Sequence, residues 1–177
     1  MSSESRVGCA VRGGVVAIGM ASLVVSCASI NTTVPPELRP ADAGRTVAVM
    51  HAIGVQIYVC KRAPDGRLLW TFKAPEATLR DEATRVVIKH YAGPTWEAPD
   101  GSKVTGKVLQ QAANTRDPNS IPLLLLQATS TGGAGLFRSV RYVQRLNTQG
   151  GLALPPTCTQ EGQEDRMPYQ ADYVFIE

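Results

Sequence analysis

Between Val47 and Cys60 the chain alternates with a period of two. Val47, Val49, His51, Ile53, Val55, Ile57 and Val59 fall on one side. Ala48, Met50, Ala52, Gly54, Gln56, Tyr58 and Cys60 fall on the other. Successive side chains of a strand point to opposite faces, and β-branched residues suit a pleated surface, so the run predicts a strand. Gly54 in its middle predicts a bulge or a bend. His51 lies on the β-branched side and reads as a hydrogen-bonded core residue. Pro64-Asp65-Gly66 is a turn: Pro presets φ and Gly accepts a positive one. Leu68–Lys73 then returns as a short partner strand.

The same grammar continues to the C-terminus. Thr84–Tyr91 reads as a strand. Ala98-Pro99-Asp100-Gly101 is a second turn, between Thr95–Glu97 and Lys103–Leu109. Residues 110–121 are polar and read as a loop. Pro122–Ala128 is a continuous apolar run, too short for most helices and suited to a strand buried on both faces. Thr131–Gly135 breaks it. Phe137–Leu146 reads as a strand carrying Arg138, Arg141 and Arg145, residues 147–168 as a loop, and Tyr169–Ile176 as the last strand. Gln144, Arg145 and Asn147 read either as a polar rim or, preferred, as the solvated side of an edge strand. A helical turn or two is expected only over Pro75–Ala83. Seven to nine short strands between turns predict an all-β sandwich or barrel over residues 45–177.

The N-terminus is of a different kind. Arg6 and Arg12 precede or border an uncharged, mostly apolar run, Gly13–Val25, that ends in Val24-Val25-Ser26-Cys27. A basic opening, a short apolar run and small residues at its end describe an export signal over residues 1–26. The run is shorter than the roughly 20 apolar residues that span a bilayer. Val-Val-Ser-Cys also resembles the lipobox of bacterial lipoproteins, which implies that Cys27 is acylated. The expected location is then the extracytoplasmic side of a membrane, held by a lipid anchor, with secretion as the alternative. Residues 27–44 are rich in Pro, Ser, Thr and Gly and read as a flexible tether.

Composition removes several function classes. The chain has 18 Lys+Arg and 15 Asp+Glu; without Arg6, Arg12 and Glu4 the exported part has 16 and 14, a net charge of +2. No basic block is present, so no nucleic-acid partner is expected. No His-x-His, His-Glu-x-x-His or cysteine cluster suggests a metal, and no cofactor motif occurs. Of four cysteines, Cys9 leaves with the signal and Cys27 takes the lipid. Cys60 and Cys158 remain and are expected to pair in an oxidising compartment.

Chemistry-bearing residues gather in one block: His90, Tyr91, Trp96, Glu97 and Asp100, around Gly93-Pro94. Aromatic faces with carboxylates beside them make a ligand site. His90 with Glu97 would make a general acid–base pair and the domain a small hydrolase. Aromatics beside a turn also serve simply as core. The leading expectation is non-enzymatic: an anchored β-domain that binds a small molecule or an envelope component near residues 90–100. A structural envelope protein without a pocket is the third reading.

Six blocks together resemble one family. They are Gly54–Cys60 (GVQIYVC), Trp70–Ala77 (WTFKAPEA), His90–Glu97 (HYAGPTWE, followed by Asp100-Gly101-Ser102), Ile121–Leu125 (IPLLL), Tyr142–Gly151 (YVQRLNTQGG) and Tyr169–Tyr173 (YQADY). The set is similar to domain-of-unknown-function family 3455, exported bacterial and fungal proteins. The chain departs from that pattern at Leu123, where the family usually has Trp, and after Asp81, where an Asp-x-x-Gly turn is usual. The resemblance implies export and no activity.

Overall fold

A computed structural model describes residues 34–42, 44–81 and 86–177. The signal segment, Cys27 and the first part of the expected tether lie outside the described residues. Eight strands follow one another: β1 (Thr46–Arg62), β2 (Leu68–Arg80), β3 (Val87–Tyr91), β4 (Thr95–Glu97), β5 (Lys103–Ala112), β6 (Leu123–Gly132), β7 (Tyr142–Gly150) and β8 (Glu164–Ile176). Each pairs antiparallel with the next, and β8 pairs back to β1, so of the two expected architectures the barrel is the one formed.

Eight strands enclose an interior just wide enough for side chains or one small ligand. That width decides which face of β1 turns inward. The bulky β-branched side faces out: Val49 and Ile53 are more than half exposed. The side with Met50, Ala52, Gly54 and Gln56 faces in. Small residues meet there, Ala52 against Ala171 and Gly54 against Ala77. A Cβ at Gly54 would lie 2.2 Å from the Glu76 carbonyl oxygen. The interior beside them is filled by Tyr173 and Phe175 of the neighbouring β8 and by Trp96 of β4. Small residues facing large ones fit a narrow barrel. His51 is therefore not a core residue; it points outward and its Nδ1 lies 3.0 Å from Asp172 Oδ1.

Other expectations shift by a few residues. The bulge is not at Gly54 but opposite Lys73: Ile57 pairs with Ala74 and Tyr58 with Phe72. The helical turn expected from Pro75 is strand as far as Arg80, because β1 supplies a full ladder that local preference cannot match. β7 begins only at Tyr142 and runs to Gly150, and β8 begins at Glu164, so the loop read at 147–168 shrinks to 151–163. Phe137 is not in a strand. It sits on a turn, fully buried, and closes one end of the barrel against Phe175, ring centroids 4.8 Å apart.

The apolar run in β6 is buried on both faces, as its composition suggests. Leu124 and Leu126 face the interior. Leu125 faces out, beneath a short 3-10 turn (Pro36–Leu38), in a cluster with Leu38, Ala112 and Leu146. Gln144 Nε2 donates to the Leu38 carbonyl at 2.6 Å, and Tyr142 and Arg141 both hold Asp42. Residues 34–42, within the stretch read as a tether, thus rest on the barrel wall. Among the described residues no helix is long and apolar enough to cross a membrane.

Among the described residues the wall is open beside the β3–β4 hairpin. β3 pairs only with Ala77–Arg80 of β2, and β4 only with Lys103–Thr105 of β5. Among the described residues, no strand lies between Thr71–Glu76 and Lys107–Ala112. The short β3–β4 hairpin ends below this gap at Gly93-Pro94, where the Gly106 N–H donates to the Pro94 carbonyl at 3.0 Å. Phe72 and Val108, each half exposed, flank the opening.

The Cys60–Cys158 disulfide forms as expected, with Cα atoms 5.9 Å apart. It ties the loop 151–163 over the start of β2, where Leu69 bridges Thr157 and the Trp70 N–H donates to the Pro156 carbonyl.

Candidate functional site

The β3–β4 hairpin sorts its residues by strand alternation. His90 and Trp96 face each other across the ladder and both point into the barrel. Their rings stack at 4.5 Å and 7°. Tyr91 and Glu97 point to the outside, where the Tyr91 hydroxyl donates to Glu97 at 2.8 Å and Lys103 lies 3.3 Å away. That hydroxyl, with the Lys103 ammonium beside it, holds the Glu97 carboxyl below its ordinary range. His90 and Glu97 are therefore on opposite faces of the sheet and share no site. The acid–base pair of the hydrolase reading does not assemble.

Asp100 has a third place. Its carboxylate accepts from the Ser102 N–H at 2.9 Å, the Ser102 hydroxyl at 2.6 Å and the Leu136 N–H at 2.7 Å. The Ser102 hydroxyl in turn accepts from the Phe137 N–H at 3.2 Å. Asp100 thus fastens the turn that carries the Phe137 plug, and these donors hold its carboxyl below the ordinary range.

His90 is committed on both nitrogens. A carbonyl oxygen only accepts, so the 2.9 Å contact from Nδ1 to the Thr95 carbonyl puts the proton on Nδ1. Nε2 then accepts from the Tyr173 hydroxyl at 3.2 Å, and Tyr169 and Tyr173 hydroxyls lie 3.3 Å apart. The network is satisfied with every member neutral.

Beside it lies a cavity of about 350 Å³, within the range of small-ligand sites, about 300–1,000 Å³. Phe72, Lys73, Pro75 and Val108 form its outer part at the gap in the wall. Pro94, Leu124 and Leu126 give it apolar sides, with Trp96 among them. Its polar lining is Gln56, His90, Arg145 and Tyr173. Two buried donors there, Gln56 Nε2 and Trp96 Nε1, make no hydrogen bond. Buried polar groups are nearly always paired, and leaving one unpaired costs about 1–3 kcal/mol. Both belong to residues that line the cavity, although the two nitrogens themselves are buried.

A family model described as Protein of unknown function (DUF3455) matches residues 40–177. The chain belongs to this family. No curated protein and no solved structure matches it. All six of the blocks quoted from the sequence supply cavity residues: Gln56, Phe72, His90, Leu124, Arg145 and Tyr173.

Sequence reasoning missed Gln56 and Tyr173, and for Arg145 it preferred edge solvation over a polar rim. Arg145 reads as edge solvation from its charge alone, yet it shares a strand face with Val143, which is core. That alternation was the available signal. Arg145 pairs with Tyr173 across β7 and β8 and lines the cavity.

Burial pushes His90 from its ordinary value near 6.5 down to about 4; the Thr95 hydrogen bond opposes this and the Arg145 charge adds to it. The unfolded chain therefore takes up this proton first as pH falls. The stability that neutral His90 contributes is complete above about pH 6.5 and is lost as pH drops toward 4, a change of about 3 kcal/mol. His90→Asn keeps a donor for the Thr95 carbonyl and removes the titration. Urea unfolding at pH 7 and pH 4 should show about 3 kcal/mol more acid loss in the wild type than in the variant. Parallel pH profiles would mean that His90 is not held neutral by burial.

Proposed function

We propose that this DUF3455 domain is a small-molecule-binding barrel, anchored by a lipid on Cys27 to the extracytoplasmic side of a membrane, with no catalytic role. The observation that carries the binding half is the cavity of about 350 Å³, with apolar sides from Pro94, Leu124 and Leu126 and an opening beside Phe72 and Val108. A barrel whose only role was structural would gain by filling that space, since empty apolar volume in a core costs about 24 cal/mol per Å³. The side opening beside Phe72 and Val108 offers a path for a ligand. The anchoring half is supported by Val24-Val25-Ser26-Cys27 at the end of an apolar run and by the disulfide, which suits an oxidising compartment.

Each half has a direct test. Expressed in bacteria, the full chain should sediment with membranes, and Cys27→Ser should release it. Wild type found wholly in the soluble exported fraction would refute the anchor. For the barrel, the neutral fluorescent probe N-phenyl-1-naphthylamine should bind one to one, with a blue-shifted and enhanced emission. Leu126→Trp places an indole in the cavity and should abolish this while the β-sheet circular dichroism persists. No saturable binding to the wild type would refute a ligand cavity.

A further inference from the structure

The chemistry of the cavity is one-sided. We infer that it selects an apolar molecule bearing one acidic head, a carboxylate of about eight carbons or its like, with the head taken by Arg145 and the tail lying along Leu124, Leu126 and Val108. This rests on the barrel being a ligand site and adds which ligand class it takes.

Arg145 is the decisive residue. Its Nε and Nη2 both donate to the Pro122 carbonyl, at 3.2 and 2.9 Å, which fixes the plane of the guanidinium. Among the described residues no carboxylate lies within ion-pair distance of it. A guanidinium stays charged under all ordinary conditions. In a partly dry site an unpaired charge is expensive, and an arriving anion removes that cost while making charge-assisted hydrogen bonds.

The other groups agree in sign. The two unpartnered atoms, Gln56 Nε2 and Trp96 Nε1, are both donors. Among the described residues no Asp or Glu lines the cavity. The Tyr173 hydroxyl gives its proton to His90 Nε2, and its oxygen, which faces the Arg145 side chain, carries no negative charge. The Arg145 charge is felt through the whole interior: burial raises the Tyr169 and Tyr173 phenols, and Arg145 pulls both back down. Among the described residues the Arg145 guanidinium at the cavity therefore has no anionic partner. The cation at the outer part, Lys73, is engaged with Glu164 and leaves no free charge there. The remaining walls are hydrocarbon, which a polar anion such as a sugar phosphate would not match.

The test uses two probes of equal chain length, octanoate and 1-octanol, each displacing N-phenyl-1-naphthylamine from the full domain at pH 7. Octanoate should displace the dye at a concentration at least tenfold below that of octanol. Arg145→Gln should weaken octanoate at least tenfold and change octanol less than threefold; Arg145→Lys should keep part of the preference. If Arg145→Gln does not fold, the wild-type comparison stands alone, and raising salt from 0.05 to 0.5 M should weaken octanoate and not octanol. Octanol equal to or better than octanoate, with the dye bound normally, overturns the acidic head and leaves the cavity standing. Failure of the dye itself to bind overturns both.

Discussion

Trp96→Ala should lower the unfolding free energy of the domain by about 3–5 kcal/mol. Trp96 is 1% exposed and is the largest fully buried side chain among the described residues. Its indole stacks on His90 and meets Tyr173 and Phe175 edge-on at 5.5 and 6.0 Å. Aromatic pairs of this kind add about 0.5–1.5 kcal/mol each beyond area burial. The barrel cannot collapse around the hole, because the ladders of β3 and β5 on either side of β4 hold its width. Trp96→Phe keeps most of the contact and removes the Nε1 donor, so its cost should be near the low end or below. Denaturant unfolding of the two variants measures this. A loss under about 1 kcal/mol for the alanine variant would mean that the indole is not packed as described.

The second large effect belongs to the disulfide. The bridge joins residues 98 positions apart. Chain entropy for a loop of that length gives about 4–5 kcal/mol. Cys60→Ser with Cys158→Ser should therefore lower the unfolding free energy by that amount, a third or more of the total for an ordinary domain, and lower the urea midpoint accordingly. Reductant should move the wild type to the same midpoint and leave the double variant where it is. A reductant-insensitive wild type contradicts the bridge. The loss should be felt at the cavity too, since the tied loop covers the start of β2 beside the opening.

The two turns, Pro64-Asp65-Gly66 and Ala98–Gly101, were legible because each needs a residue type that few other conformations want. Gly66 and Gly101 both have φ above +80°. The strands were legible from their period. Which face of a strand turns inward was not. Val49, His51 and Ile53 look like a core face and are outside, because the inside of a closed barrel is set by residues far away in the chain: Ala77, Ala171 and the aromatics of β4 and β8. A single strand holds no record of that radius. For the same reason Leu38 reads as tether, although it is buried against Leu125 and Leu146. The candidate site was half legible. His90 and Trp96 belong to the cavity, whereas Tyr91 and Glu97 belong to the outer surface and Asp100 to a turn. The period of two separates them, but a cluster in sequence hides it. Arg145, the residue that gives the cavity its charge, stands 55 residues from His90 and joins it only through barrel closure.

A small molecule held in the barrel interior would lie beside Trp96. The most direct measurement is a titration of isotopically labelled protein with N-phenyl-1-naphthylamine, followed at the indole N–H resonances of the two tryptophans, Trp70 and Trp96. Trp96 lines the cavity and Trp70 does not. The Trp96 resonance should move saturably to a new position while that of Trp70 stays still. Movement of Trp70 alone, or of neither, would contradict a ligand site inside the barrel.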